Sequence, residues 1–280
     1  MTTLAYNLVI GIVDLLTLWM VARRGPANGA DKSVLRLLAP AIALLAGMGA
    51  VTAIGLGEDP FGVMRLACWG LFVHGAVWLI FASAFVWRRS RGLATAGLLA
   101  GAGIAAVGID AFFIEPTALE INHVAISSPK LTKPMKIVVI ADFQTDSMGD
   151  YERRVLAEVK RQQPDMILWA GDYLQEHRPE RWETLRDALS VELARTNLRP
   201  PLGSFAVGGN VDDPRWPQIF DGFPVHVFEH NDQVEAGEVA VTGLAMRQSF
   251  RTDVRITPSE QFHIVLGHCP NFALGEVDAD

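Results

Sequence analysis

Four apolar runs fill the first part of this chain: about Leu4–Ala22, Leu37–Leu56, Leu66–Trp87 and Leu93–Ile114. Each is long enough to span a hydrocarbon core, which takes a helix of roughly 20 apolar residues. A segment in lipid must satisfy its backbone polar groups internally, so runs of this length restrict the N-terminal part to helices. After Ile114 the chain has the mixed composition of an ordinary soluble domain. Of the 280 residues 50% are hydrophobic and only 20% charged, and the charge is concentrated in the second part. The chain therefore reads as two regions with different solvents. Residues 1–114 are expected to form a four-helix transmembrane bundle, 115–135 a connector with a first strand, and 136–280 a folded α/β domain.

The loops between the runs predict an orientation. The first carries Arg23, Arg24, Lys32 and Arg36 against Asp31. The second carries Glu58 and Asp59, with Arg65 at its far end, and the third Arg88, Arg89 and Arg91. Cytoplasmic loops are enriched in Lys and Arg, which places the first and third loops inside and both the N-terminus and the C-terminal domain outside the cytoplasm. The expectation is an integral protein of a bacterial-type inner or plasma membrane, with the lipid bilayer as a partner. No Lys or Arg precedes the first run and no small-residue cleavage site clearly follows it, which argues against a cleaved signal peptide. Gly97 and Gly101, with Gly103 and Gly108 beyond, suit close helix packing within the bundle. Asp14, His74 and Asp110 are ionisable groups in or near the runs, where a charge costs about 2.5–3.5 kcal/mol. They suggest a proton or ion path; the plainer reading pairs Asp14 with His74 or a backbone group and leaves Asp110 at the interface.

In the second part, periodicity predicts helices over Asp150–Gln162, with Tyr151, Val155, Leu156 and Val159 on one face, and over Arg181–Arg195, with Trp182, Leu185 and Leu189 facing inward. Strands are expected around Leu119–Ile126 and over Lys136–Ala141, Met166–Gly171, Phe205–Gly209, Val225–Phe228 and His263–Gly267. Val234–Leu244 should form further strand, with Gly237 at a turn. The order strand–helix–strand–helix–strand, then mostly strands, predicts a layered α/β domain with part of a second sheet. A net charge of −7, without a basic stripe or aromatic platform, argues against nucleic acid as a partner. Cys68 and Cys269 are too far apart in the chain to suggest a disulfide.

Four of these strands end on side chains able to bind metal. Lys136–Ala141 leads into Asp142 and then Gln144, Met166–Gly171 into Asp172, Phe205–Gly209 into Asn210, and His263–Gly267 into His268. Polar ligands at strand C-termini suit the open edge of an α/β sheet, where such folds bind their ligands. Oxygen donors with one imidazole suggest a hard or borderline divalent metal.

In order, the motifs are ADFQ (Ala141–Gln144), AGDY (Ala170–Tyr173), GGNVDD (Gly208–Asp213) and LGHCP (Leu266–Pro270). Together they resemble the calcineurin-like metallophosphoesterase family over roughly Glu115 to the C-terminus. The resemblance implies an α/β-β-α layered sandwich and two divalent metals sharing one carboxylate. In that arrangement two cations about 3.5–4 Å apart clamp the attacking and leaving oxygens of a phosphoryl displacement. It implies Asp142 as a ligand of the first metal, Asp172 as the shared ligand, and Asn210 and His268 as ligands of the second.

The sequence departs from the family in three places. Gln144 stands where His is usual; its harder, neutral oxygen shifts the preference toward Mn or Mg over Zn. Val211 stands where the family usually carries a His credited with protonating the leaving group or holding the phosphate, and Asp212, which would normally orient that His, remains. Losing a positioned acid typically costs about 10²–10⁴ in rate. His230 and His177 are other candidate donors that nothing places there, and the catalytic residue stays unassigned. The terminal Gly-His-x-His motif is not reached before Asp280, which reads as a chain truncated ahead of it. Arg215, Arg247 and Arg251 could meet a substrate phosphate, although solvated surface is the plainer reading.

The expected function is a membrane-anchored, metal-dependent phosphoesterase that uses metal-activated water on a phosphomonoester or phosphodiester, with a lipid or cell-envelope substrate suggested by the anchor. The alternative is a catalytically impaired domain of the same kind that binds or signals. Substrate, metal identity and oligomeric state are not legible in the sequence.

Overall fold

A computed structural model of the chain describes residues 2–24, 60–176, 178–275, 277 and 279–280. The chain forms two compact units, Met1–Ala118 and Leu119–Asp280.

In the first unit, helix Thr2–Arg24 is followed, among the described residues, by helix Pro60–Trp69, a π-helical turn Gly70–Gly75, helix Ala76–Val86 and helix Arg91–Ile109. Two stretches, Phe61–Val86 and Arg91–Thr117, are long and apolar enough to cross a membrane. The N-terminal helix, Thr2–Arg24, carries an apolar stretch over Thr3–Leu16 among the described residues. The expected four spans are thus two among the described residues. The second expected run, Leu37–Leu56, lies outside the described residues, as do the loop charges Asp31, Lys32, Arg36, Glu58 and Asp59.

Small residues let the two long helices touch. A side chain on Gly97 would collide with Ser83, one on Gly101 would lie 2.7 Å from Ile80, and one on Gly108 would meet Phe72 at 3.0 Å. This is packing within the unit, as small residues at helix interfaces permit. The N-terminal helix is held by polar contacts. Asp14 and His74 are each only 6% exposed. His74 Nδ1 lies 2.5 Å from Asp14 Oδ2, Trp78 Nε1 donates to Asp14 Oδ1 at 2.7 Å, and His74 Nε2 lies 3.0 Å from Asn7 Oδ1. Asp14 therefore pairs with His74, which the π-helical turn carries. Asp110 opens a second π-helical turn, Asp110–Ile114, and is exposed.

The second unit holds two sheets. In the first, β1 (Ile137–Ile140), β2 (Met166–Trp169), β3 (Ser204–Val207) and β4 (Val225–Phe228) run parallel in sequential order. In the second, β6 (Val239–Gly243) pairs antiparallel with β5 (Asp232–Ala236) and parallel with β7 (Phe262–Leu266). Gly237, at φ +66°, makes the turn between β5 and β6; a left-handed conformation costs glycine little.

Alternation along the strands sorts the core into two layers. Ile167 and Trp169 of β2 join Leu156, Val159, Trp182, Leu185 and Leu189 from helices Asp150–Arg161 and Pro179–Thr196. Met166 and Leu168 turn the other way and meet Val239, Val241, Phe262 and Leu266 of the second sheet. All four residues of β2 are buried, which is why the strand reads as an unbroken apolar run, as parallel strands covered on both faces do. Each such side chain contributes up to about 1.5–3 kcal/mol on burial. Beyond the second sheet, among the described residues, helix is limited to the short turns Met246–Ser249 and Pro270–Leu274.

Helix Asp150–Arg161 has Asp150 and Glu152 in its first turn and Lys160 and Arg161 in its last, a charge order that complements the helix dipole. Helix Pro179–Thr196 begins on a proline and stops at Asn197, in the left-handed conformation at φ 52°, a common helix ending. The strand expected around Leu119–Ile126 is absent: the segment has no strand pairing among the described residues, and Val124 and Ile126 are 84% and 67% exposed. Apolar alternation without a ladder partner leaves extended chain.

Candidate metal centre

The loop after β1 and the loop after β2 run on as an irregular ladder beyond the strand ends. Asp142 N–H donates to the Gly171 carbonyl at 3.2 Å, Gln144 N–H to that of Asp172 at 2.7 Å, and Thr145 N–H to that of Tyr173 at 3.2 Å. This pairing needs an unusual backbone. Asp142, Gln144 and Asp172 all sit in the left-handed region, at φ 50°, 36° and 56°. Conformations of this kind cost about 1–3 kcal/mol each and cluster at functional sites.

The loop after β3 approaches as closely. A Cβ on Gly171, at φ +92°, would lie 2.6 Å from the Gly209 nitrogen, and one on Gly209 would overlap the Asp172 carboxylate. The two glycines of AGD and GGN therefore let two loops meet. Val211 N–H donates to Asp172 Oδ1 at 2.9 Å. Asp212 answers across the same gap. Its Oδ2 accepts the N–H groups of Asp172 and Gly209, both at 2.8 Å, and its Oδ1 that of Tyr173 at 2.7 Å. Burial holds the Asp212 carboxyl above its ordinary value; the N–H groups of Gly209, Tyr173 and Asp172 pull it down, and the nearby Asp172 charge adds to the rise. Behind the loop, Tyr173 is buried, with its hydroxyl donating to the Val207 carbonyl at 2.6 Å and its ring stacked on Trp216. Burial pushes its phenol well above the usual range.

His268 arrives from the second sheet, on the loop after β7. The sequence predicts that the four strand ends share a site; three of them, after β1, β2 and β3, are neighbours on one sheet, and the fourth comes from the other sheet. The imidazole Nδ1 lies 2.8 Å from the Ala170 carbonyl, which can only accept, so this nitrogen carries the proton. Its Nε2 faces Asn210 Oδ1 at 2.9 Å and Asp172 Oδ2 at 3.6 Å.

Asp142, Asp172 and His268 each offer a ligand atom within 4.8 Å of the others. Asn210 joins them through His268. Gln144 is brought to the same loop by its main chain, held by the Asp172 carbonyl. The arrangement fits a cation. Two carboxylates and an amide oxygen converge on an imidazole nitrogen whose lone pair is turned toward them, and a positive ion satisfies all of these acceptors at once. Oxygen donors with imidazole suit hard or borderline divalent ions.

Arg215 pairs with Asp213 at 2.8 Å and covers the Trp182 ring at 4.3 Å. Arg251 pairs with Asp253 at 2.6 Å, and Arg247 and His230 are exposed. His177 lies outside the described residues. Val211 is 7% exposed, an apolar side chain with no proton to give. The contributions of Ala170, through its carbonyl, and of Asp212, through three backbone donors, were not legible in the motifs. An acid two residues after the candidate ligand Asn210, in a glycine-rich motif, is the available signal for the second.

Residues 135–279 match the calcineurin-like phosphoesterase family. The chain belongs to that family, whose domain points to metal-dependent hydrolysis of phosphoesters. Comparison with curated proteins gives no match.

Proposed function

We propose that the chain is a membrane-anchored phosphoesterase in which Asp142 and Gln144 hold one divalent ion, Asn210 and His268 a second, and Asp172 is shared between them. The observation that carries this reading is the convergence of Asp142, Asp172 and His268 within 4.8 Å, with the His268 Nε2 lone pair directed at Asn210 and Asp172. Divalent ions so held supply Lewis acidity toward a phosphoryl oxygen and make water acidic enough to attack near neutral pH. The protein's own part is positional. The Ala170 carbonyl fixes the His268 tautomer and ring direction, and the Val211 N–H orients Asp172. Partners of this kind typically govern metal affinity by about 10–100-fold. The amide of Gln144 favours Mn or Mg over Zn.

The two apolar helices support an anchor. The arginines between them, Arg88, Arg89 and Arg91, support a cytoplasmic position for that loop and an external one for the phosphoesterase domain. An anchored enzyme meets substrates at the bilayer surface, so a phosphomonoester or phosphodiester of a lipid or envelope component is the substrate class proposed. The test is hydrolysis of a nitrophenyl phosphodiester and a nitrophenyl phosphomonoester by the detergent-purified, Mn-loaded chain. Turnover abolished by Asp172→Asn supports the reading, and unchanged turnover in that variant refutes it.

Val211 favours a second reading, a domain that binds a phosphorylated ligand without cleaving it. Stoichiometric metal and saturable phosphate binding without hydrolysis of either ester would support it.

A further inference from the structure

We infer that Asp212 is a positioning residue for the metal ligands, a clamp that sets the geometry of Asp172 and Asn210 from behind; this rests on the metal-centre reading above. The residue before it, Val211, offers this carboxylate no side-chain partner. The Asp212 carboxylate is committed to the main chain instead. It accepts three N–H groups at 2.7–2.8 Å, two from the loop that carries Asp172 and one from Gly209, which precedes Asn210. In return Asp172 Oδ1 accepts the N–H of Val211, which follows Asn210. Each acid thus accepts from the segment that bears the other, and the two loops are locked reciprocally.

The lock opposes two local preferences. Asp172 is in the left-handed region at φ 56°, and Gly209 lies so close to it that a side chain there would overlap the carboxylate. Loops this close, with one residue strained, separate unless something holds them. Hydrogen bonds to an ionised acceptor are roughly twice as strong as neutral ones, and three on one carboxylate provide the hold. The consequence for chemistry is direction. With its amide fixed by Asp212 and Oδ1 fixed by Val211, Asp172 has Oδ2 left to face His268.

The test compares the full chain, purified in detergent, with Asp212→Asn and Asp212→Leu. Asparagine keeps the shape but opposes an NH₂ group to one backbone donor; leucine removes every acceptor. Mn²⁺ is titrated into each with the free ion followed by electron paramagnetic resonance, and thermal unfolding of each metal-free form is recorded. Leu189→Ala, a core truncation on the helical layer, calibrates lost stability alone. The expected result is a fold that survives in Asp212→Asn with a Kd for Mn²⁺ raised about 10–100-fold, and at least that in Asp212→Leu. Leu189→Ala should unfold earlier yet bind as wild type does. Wild-type affinity in both Asp212 variants would overturn the inference, and so would an equal loss of affinity in Leu189→Ala, which would make the effect one of general stability. A wild-type chain that takes up no Mn²⁺ refutes the metal centre itself, and the clamp with it; that outcome is distinct because the control fails too.

Discussion

Asp172 and His268 stand on loops from different sheets, yet carboxylate Oδ2 and imidazole Nε2 come within 3.6 Å of each other. The contact brings the end of β2 to the end of β7 across the sandwich, and a hydrogen bond from His268 Nδ1 to the Ala170 carbonyl joins the same two loops.

His268→Ala removes both connections. Mn²⁺ affinity should fall by at least about 10-fold, on the scale of lost metal partners, with a smaller loss of thermal stability. Titration of the free ion alongside an unfolding curve checks both, and retained affinity would place His268 outside the centre.

Gly209→Ala tests the close approach of the loops. Its new methyl group overlaps the Asp172 carboxylate, so one of the two must move. The variant is expected to lose about 1–3 kcal/mol of stability, typical of overpacking, and to bind Mn²⁺ more weakly. Gly203→Ala is the control: Gly203 also has positive φ, at +95°, but its nearest obstacle is the edge of the Phe205 ring at 3.3 Å. It should lose stability and keep its metal.

In the first unit, His74→Ala leaves Asp14 buried without its imidazole. Leaving a buried acceptor short of a partner costs about 1–3 kcal/mol, and urea unfolding in detergent should show the N-terminal helix releasing early. Replacing both residues with leucine should recover part of the loss, since exchanging both partners for apolar groups leaves no unsatisfied polar atom. If the double variant is no better than the single one, the polar contacts are not what that pair contributes.

Val211→His restores an imidazole beside Asn210. If the chain hydrolyses phosphoesters without a positioned acid, this variant should raise kcat on an ester with a poor leaving group, by up to about 10²-fold, the lower end of what general acids supply. A side-by-side assay of alkyl and nitrophenyl phosphodiesters reads the gain, and no change in either would show that position 211 does not reach the leaving group.

What the sequence disclosed depended on the kind of interaction. Strands such as MILW at 166–169 were visible because burial on both faces demands an unbroken apolar run. Helix Pro179–Thr196 was visible because Trp182, Leu185 and Leu189 recur at helical spacing. Leu119–Ile126 misled because alternation records only the side chains, while a strand needs a neighbour to pair with. Asp142, Asp172 and His268 are legible as candidate strand-end ligands because an ionisable group where a buried strand ends is costly unless it has a partner. That His268 comes from the second sheet was not, since nothing local to β7 encodes which sheet it joins. The role of Asp212 was hidden for a similar reason: its partners are main-chain N–H groups, which every sequence possesses.

The Ala170–His268 bond joins positions 98 residues apart in the chain, so the candidate ligand set comes together only when the sandwich is closed. An ion that binds there binds the folded state and not the unfolded one. Its free concentration then acts as a variable of stability: at 100 times its Kd a single site adds about 2.7 kcal/mol. Chelation is thereby a mechanical intervention as well as a chemical one. In a compartment poor in divalent ions the two sheets of this domain should part more often, and proteases should find it sooner.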